Sequence, residues 1–218
     1  MGRAKGGIPS AWVTWLTGLL SGEDHCVWSA WFRARYWFKR VEDPTFDSVQ
    51  WNAAHSALVE RRAGELRAAG WAVYLENQND FRVDGQTAGF VGKPDIVAVN
   101  ATTVRVVDAK SGQRYNKHWW QIACYLRYIR RVFPTLCAGK IVEGEICYAE
   151  GDPVVVPESD LTPELMERLN ELMKQIGFDM PPPKTPSVQE CRFCSIPATE
   201  CPDRIEAAAK PVAATVDF

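Results

Sequence analysis

The stretch Gly92-Lys93-Pro94-Asp95-Ile96-Val97-Ala98-Val99-Asn100-Ala101-Thr102-Thr103-Val104-Arg105-Val106-Val107-Asp108-Ala109-Lys110 decides the reading of this chain. Two apolar runs rich in β-branched residues, 96–99 and 104–107, flank Asn100-Ala101-Thr102-Thr103, which predicts two strands joined by a tight turn. Partners across such a turn share one sum of positions. Asn100 with Thr103 gives 203, and Asp95 with Asp108 also gives 203. The two carboxylates are therefore expected to face each other. Like charges opposite one another on a sheet are unfavourable, and more so beside apolar runs. A divalent cation offsets the repulsion. Lys110 follows Asp108 by two residues, so on a strand it points to the same face. Two carboxylates around a metal, with an ammonium beside them, can generate and orient the hydroxide that phosphodiester hydrolysis requires. A lone strand aspartate is more often a surface charge; the common register of both acids and the lysine points to a site.

Working outward, 48–69 reads as a helix with Trp51, Ala54, Leu58 and Leu66 on one side and Glu60, Arg61, Arg62 and Arg67 largely on the other, ended by Gly70. Strands are expected at 72–76, 80–83, 88–99 with an irregularity at Gly92-Lys93-Pro94, and 103–110. A second long helix, 116–132, is closed by Pro134. A strand pair, 140–148 and 153–156, surrounds Glu150-Gly151-Asp152, and a third helix, 162–176, opens on Thr-Pro-Glu and stops at Gly177. Ahead of these, 29–40 reads as a helix carrying Trp31, Phe32, Tyr36, Trp37 and Phe38 among basic residues. The order predicts an α/β fold with a mixed sheet.

The 218 residues are 46% hydrophobic and 24% charged, with a formal net charge of -2, so no global positive field marks a nucleic-acid binder. The apolar run 11–20 is too short for a membrane span. Arg3 and Lys5 are not followed by an export-signal pattern, and a cytoplasmic, membrane-free protein is expected. The seven cysteines are unevenly placed. Cys191, Cys194 and Cys201 form a C-x2-C-x6-C run behind the stiff Pro181-Pro182-Pro183-Lys184-Thr185-Pro186 connector and need a fourth ligand. A zinc ribbon would offer a second C-x-x-C pair, which the sequence lacks. Cys26 is the best remaining candidate, with His25 as an alternative in a zinc site. Thiolates at this spacing, one of them before a proline, suit an iron-sulfur cluster. Cys124, Cys137 and Cys147 read as packing residues.

Gly92-Lys93-Pro94-Asp95 followed by Val107-Asp108-Ala109-Lys110 resembles the PD-(D/E)XK nucleases, whose core carries an acid and then a D-x-K or E-x-K strand. His55 on the preceding helix and Gln121-Ile122-Ala123-Cys124-Tyr125 on the following one are similar to the histidine and Q-x-x-x-Y motif of the RecB-type branch. One cysteine before the nuclease motifs and three after them resembles the iron-sulfur members: the CRISPR-associated exonuclease family, the AddB nuclease domain and related phage proteins. The resemblance implies a restriction-endonuclease-like core, a central mixed sheet flanked by helices, with an iron-sulfur element joining the N- and C-terminal segments. It implies that His55, Asp95, Asp108 and the Ala109 carbonyl bind Mg2+ or Mn2+; an imidazole beside carboxylates suits manganese. It further implies that Lys110 assists the nucleophile, that Gln121 and Tyr125 hold DNA or the lysine, and that Cys26, Cys191, Cys194 and Cys201 carry a 4Fe-4S cluster.

Two stretches interleave rings and charges: Trp31, Arg33, Arg35, Trp37, Lys39 and Arg40, then His118, Trp119, Trp120, Arg127, Arg130 and Arg131. Aromatic faces stack on unpaired bases while arginines neutralise phosphates, which makes Arg33, Arg35, Trp119 and Trp120 candidate DNA contacts. The expected layout is an N-terminal helical segment at 1–47, a nuclease core at 48–180, the proline linker and cysteine cluster at 181–204 and a flexible tail at 205–218, with loose ends at 1–9 and 207–218. The expected function is a metal-dependent DNA exonuclease with 5′ to 3′ polarity on single-stranded ends, in recombination, repair or phage DNA metabolism. The alternatives are a CRISPR adaptation nuclease working with adaptation partners and a non-catalytic metal-cluster protein that binds DNA or partners.

Overall fold

The computed structural model describes residues 2–42 and 46–206. In chain order the elements are β1 (Arg3–Ala4), β2 (Ser10–Trp12), α1 (Val13–Ser21), α2 (Val27–Arg35), β3 (Tyr36–Trp37), α3 (Ser48–Ala68), β4 (Ala72–Leu75), β5 (Phe81–Asp84), β6 (Gly89–Gly92), β7 (Ile96–Val99), β8 (Thr103–Lys110), α4 (Asn116–Val132), α5 (Pro134–Cys137), β9 (Ile141–Tyr148), β10 (Val154–Pro157), α6 (Pro163–Gly177) and α7 (Val188–Phe193). The main sheet runs β10-β9-β8-β7-β4, with β8 and β9 parallel and every other pair antiparallel. A three-stranded sheet, β2-β6-β5, and the short pair β1-β3 complete the strands.

The decisive hairpin is β7-β8. Its partners Ile96 with Val107, Val97 with Val106, Ala98 with Arg105 and Val99 with Val104 all sum to 203. The turn is pinned locally: Asn100 Oδ1 accepts the N–H groups of Thr102 at 2.9 Å and Thr103 at 2.8 Å, an Asx turn that holds the register without glycine. Strand alternation then divides the core. Val104 and Val106 face a core built with α1, α4 and α6, whereas Ile96, Ala98, Val107 and Ala109 face Leu58, Val59, Ala63 and Leu66 of α3. Because β8 is covered on both sides, apolar residues of its middle point both ways, Val104 and Val106 to one core and Val107 and Ala109 to the other.

Helix α3 is set by its ends and one buried ion pair. Asp47 caps it by accepting Gln50 N–H at 2.9 Å. Gly70, at φ +83°, closes it in a Schellman arrangement, Gly70 N–H to Arg67 O and Trp71 N–H to Leu66 O, both at 3.0 Å. In between, Arg62 makes two 2.7 Å bonds to Glu145 on β9, a carboxylate only 1% exposed that also accepts from Arg105 at 3.1 Å. Arg62 lies two turns after His55, so this contact fixes the height of His55 over the sheet.

Three expectations are corrected. The single strand expected at 88–99 is two strands in two sheets, β6 and β7. Pro94 has no N–H to continue a ladder, and the carbonyls around it turn aside: Asn79 takes Pro94 O at 3.4 Å and Tyr125 takes Lys93 O at 3.1 Å. The helix expected at 29–40 ends at Arg35, because Tyr36 and Trp37 pair as β3 with β1. The loose end expected at 1–9 therefore contains a paired strand, and Gly2 N–H reaches Glu200 at 2.8 Å. The run 11–20 forms β2 and α1 in the main core, and no helix among the described residues is long and apolar enough to cross a membrane. The tail expected at 207–218 lies outside the described residues.

Helix α4 rests directly on β9 at Gly144, where an added Cβ would stand 2.1 Å from Ile122 Cγ2. Gly144→Ala is expected to lower the unfolding free energy by about 1–3 kcal/mol through overpacking. A urea titration checks this, and the double variant Gly144→Ala/Ile122→Ala should lose less than the sum of its single changes because both act on one contact.

Candidate active site and cysteine cavity

The main sheet delivers Asp95 and Asp108 to one cleft of about 430 Å³, where α3 contributes His55 and α4 contributes Gln121 and Tyr125. Asp95 Oδ2 accepts the Ala109 N–H at 2.7 Å, and Asp95 Oδ1 lies 3.4 Å from His55 Nε2. Asp108 is 2% exposed; Lys110 Nζ stands 2.6 Å from its Oδ2, and Gln121 Nε2 donates to its Oδ1 at 2.7 Å. The amide of Gln121 has one permissible orientation. An ammonium only donates, so the Gln121 oxygen faces Lys110 at 2.9 Å and the nitrogen serves Asp108 and, at 3.1 Å, the Tyr125 hydroxyl. Tyr125 passes the chain on to Lys93 O. The four-residue spacing of Gln121 and Tyr125 places both on one face of α4, so that Tyr125 braces Gln121, which reaches Lys110.

The electrostatics follow from burial. Asp108 is pushed up to about 6, mainly by loss of solvent, against the pull of Lys110 and with a further push from Asp95. His55 is raised by its bond to Asp95 despite partial burial. His118, beside Tyr148 OH at 3.2 Å, is lowered to about 4 by burial and by Lys110 and Lys117, so it is neutral at pH 7. Two buried atoms here lack a hydrogen-bond partner, Asp108 Oδ2 and His55 Nδ1. Lys110 Nζ, 2.6 Å from Asp108 Oδ2, pairs with that oxygen by charge, so of the two only His55 Nδ1 is left with no partner of either kind. Among the described residues no three His, Cys, Asp or Glu side chains converge as a ready metal shell; Lys110 supplies the counter-charge on Asp108. Asp95, Asp108 and His55 line one cleft and are of donor types that suit a divalent cation, although they do not converge as a preformed shell.

Next to this cleft, sharing Thr14, Tyr115 and Lys117 with it, is a cavity of about 530 Å³ lined by Cys26, Cys191, Cys194 and Cys201. All four thiols are free. Cys26, Cys194 and Cys201 pack against Trp28, Trp31, Phe32 and Ile196. Glu190 of α7 accepts the N–H groups of His25 at 2.9 Å and Cys26 at 3.1 Å, which ties together segments 164 and 165 positions apart. Arg204 holds the loop after Cys194 through two 2.7 Å bonds to Cys194 O and Ile196 O. Arg33 brings Nη2 to 3.9 Å from Cys194 Sγ while its buried Nε has no hydrogen-bond partner, and Asp24 and Glu190 line the same cavity. His25 is absent from the cavity lining, and its ring pairs with Glu190 in a side chain 71% exposed. Cys124 and Cys137 lie in the main core and Cys147 in the α3 core; burial pushes the Cys124 thiol up to about 12.

The expected DNA contacts are placed differently. Arg33 faces the cysteine cavity. Arg35 binds the last carbonyls of α6, Ile176 O, Gly177 O at 3.0 Å and Phe178 O at 2.5 Å, and stacks on Trp31. It caps a helix, as a cation at a C-terminus does. Trp120 is 7% exposed under Arg168, and Trp119 is half-buried edge-on against it, over a hollow that does not contain the Asp108 cleft. Arg130 is held by Glu158 at 2.7 Å. The sequence reading overlooked Lys93, whose carbonyl ends the Tyr125 chain, and Trp51, whose ring lies parallel to His55 at 5.1 Å. Trp51 is one turn before His55 on α3, a spacing that was visible in the sequence.

No curated protein matches this chain. Among solved structures it is similar to the crystal structure of SSO0001, at 12% identity and a TM-score of 0.44, over 93% of this chain and 90% of that one. The family model of the PD-(D/E)XK nuclease superfamily matches residues 19–201, a span that takes in the whole cleft and all four cavity cysteines. The chain belongs to the PD-(D/E)XK nuclease superfamily, whose members are nucleases that use divalent metals such as Mg2+ or Mn2+.

Proposed function

We propose that this nuclease is a DNA exonuclease acting on single-stranded ends, with 5′ to 3′ polarity and a 4Fe-4S cluster as in the RecB-like branch. The observation that carries the catalytic reading is the linked set Asp108, Lys110, Gln121 and Tyr125 in one cleft with Asp95 and His55. Asp95, Asp108 and His55 hold the cation, with the Ala109 backbone at the same spot. The bound cation supplies Lewis-acid polarisation of the phosphodiester and lowers the pKa of water near it. Lys110, oriented by Gln121, keeps its ammonium directed into the cleft, where negative charge develops on the phosphoryl oxygens. Tyr125 fixes Gln121 from behind, so it acts on the lysine through another side chain. Ala109 N–H restricts Asp95 to one carboxylate orientation.

Cys26, Cys191, Cys194 and Cys201 are proposed as the cluster ligands on the strength of their shared cavity and of the Arg33 charge beside them. A cluster bridging Cys26 to the C-terminal run closes a loop spanning the nuclease core, which removes unfolded-state entropy. Its role is structural.

End-labelled single strands incubated with Mn2+ should be degraded by the parent protein, with release of label fastest from the 5′ end. Asp108→Asn and Lys110→Ala should each reduce the rate at least about 100-fold; variants as fast as the parent contradict the site assignment. The pH dependence has a definite sign. Asp108 has a folded pKa above its unfolded value, so the folded state prefers its proton between about pH 4 and 6, and ionising it above that window costs stability. A bound cation offsets that cost and competes with protons on Asp108 and His55. The thermal upshift produced by Mn2+ should therefore be largest near pH 7.5 and shrink toward pH 5. Anaerobically purified protein should contain iron and sulfide, lost in Cys26→Ser and retained in Cys124→Ser; a colourless protein with one zinc contradicts the cluster.

A further inference from the structure

Three aromatic rings line the mouth of the Asp108 cleft: Trp12 at the end of β2, Trp51 on α3 and Tyr115 at the N-cap of α4. They are 42%, 45% and 47% exposed, whereas Trp28, Trp31 and Trp120 are at most 7% exposed. Packing thus accounts for the second set and not for the first. Trp12 is the clearest case, since among the described residues no other ring and no cation lies against it. Trp51 has one face on His55, in parallel at 5.1 Å, and Phe46 tilted at 6.2 Å. Tyr115 stands edge-on to His118 and has Lys117 Nζ 4.8 Å from its ring centre. Large apolar rings converging from separate elements on one polar cleft mark a recognition surface.

The charges beside the rings define the occupant. Lys93 and Lys117 line the same cleft with side chains 36% and 39% exposed. Their carboxylate partners, Glu76 at 3.5 Å and Glu23 at 3.7 Å, are likewise solvated, and such pairs are weak enough to yield to phosphate. Alternating flat rings and exchangeable ammonium groups match a polymer that alternates flat bases with phosphates. A duplex offers no free base faces, because its bases already stack on one another.

We infer that Trp12, Trp51 and Tyr115 form a stacking rim that takes the unpaired bases of a single DNA strand next to the phosphate being cleaved. This rests on the nuclease reading and names the residues that would make it specific for single strands. It moves that specificity from Trp119 and Trp120 to a different set of rings. Trp51 has a second task, since its ring also positions His55.

The test separates bases from phosphates. A 12-residue oligothymidylate and an abasic strand of the same length carry the same backbone charge, and binding of each is measured by fluorescence anisotropy with Ca2+ in place of Mn2+. The parent should bind the oligothymidylate at least about 10-fold more tightly than the abasic strand. Trp12→Ala and Tyr115→Ala should each cut that preference about 10-fold, and Trp12→Phe, which keeps an aromatic face, should restore most of it. Equal affinity of the parent for both strands, or alanine variants that keep the full preference, would overturn the inference. A parent that prefers bases but leaves DNA uncut supports the rim and sinks the nuclease reading; one that cuts DNA yet binds both strands equally does the reverse.

Discussion

Everything in this molecule that bears on chemistry depends on the register of one antiparallel hairpin. The pairing of Ile96 with Val107 brings the next residues, Asp95 and Asp108, to the same end of the hairpin, and the Asx turn at Asn100 holds that register. A shift by one residue would reverse every side chain on one strand, burying Lys110 against α3 and turning Val107 toward α4. The two cores on either side of β8 make that shift expensive, so the apolar alternation that stabilises the fold also locates the carboxylates.

The cost of the arrangement is a nearly inaccessible carboxylate. Asp108 tolerates burial because Lys110 and Gln121 surround it, and Gln121 is itself constrained by Tyr125 and the Lys93 carbonyl. These contacts hold the ammonium in the cleft beside Asp108. Preorganised charge in a site of low dielectric is worth more than the same charge in water. The buried Glu145 pair to Arg62 works at longer range, holding α3 so that His55 arrives beside Asp95.

Much of this was legible in the sequence, and the reasons are specific. Position sums located the hairpin because period-two alternation and a short polar turn leave few registers. The helix carrying Gln121 and Tyr125 was legible because its apolar face repeats over 17 residues. The division of 88–99 into two sheets was not, since Pro94 signals a break without saying where each half pairs. Nor was the fate of the arginines. Arg33 and Arg35 look like phosphate contacts in one dimension, but three dimensions bring a cysteine cavity and a helix C-terminus to them. The exposure of Trp12 and the burial of Trp120 are likewise tertiary facts, because adjacent elements decide which ring is covered.

The proposed chemistry depends first on Asp95, Asp108 and His55 holding the catalytic cation. Anomalous diffraction at the manganese edge from crystals soaked in Mn2+ tests it most directly. The predicted result is a peak between the two carboxylates within bonding distance of the His55 ring, lost in Asp108→Asn. Manganese bound away from these side chains in a protein that cleaves DNA would contradict it.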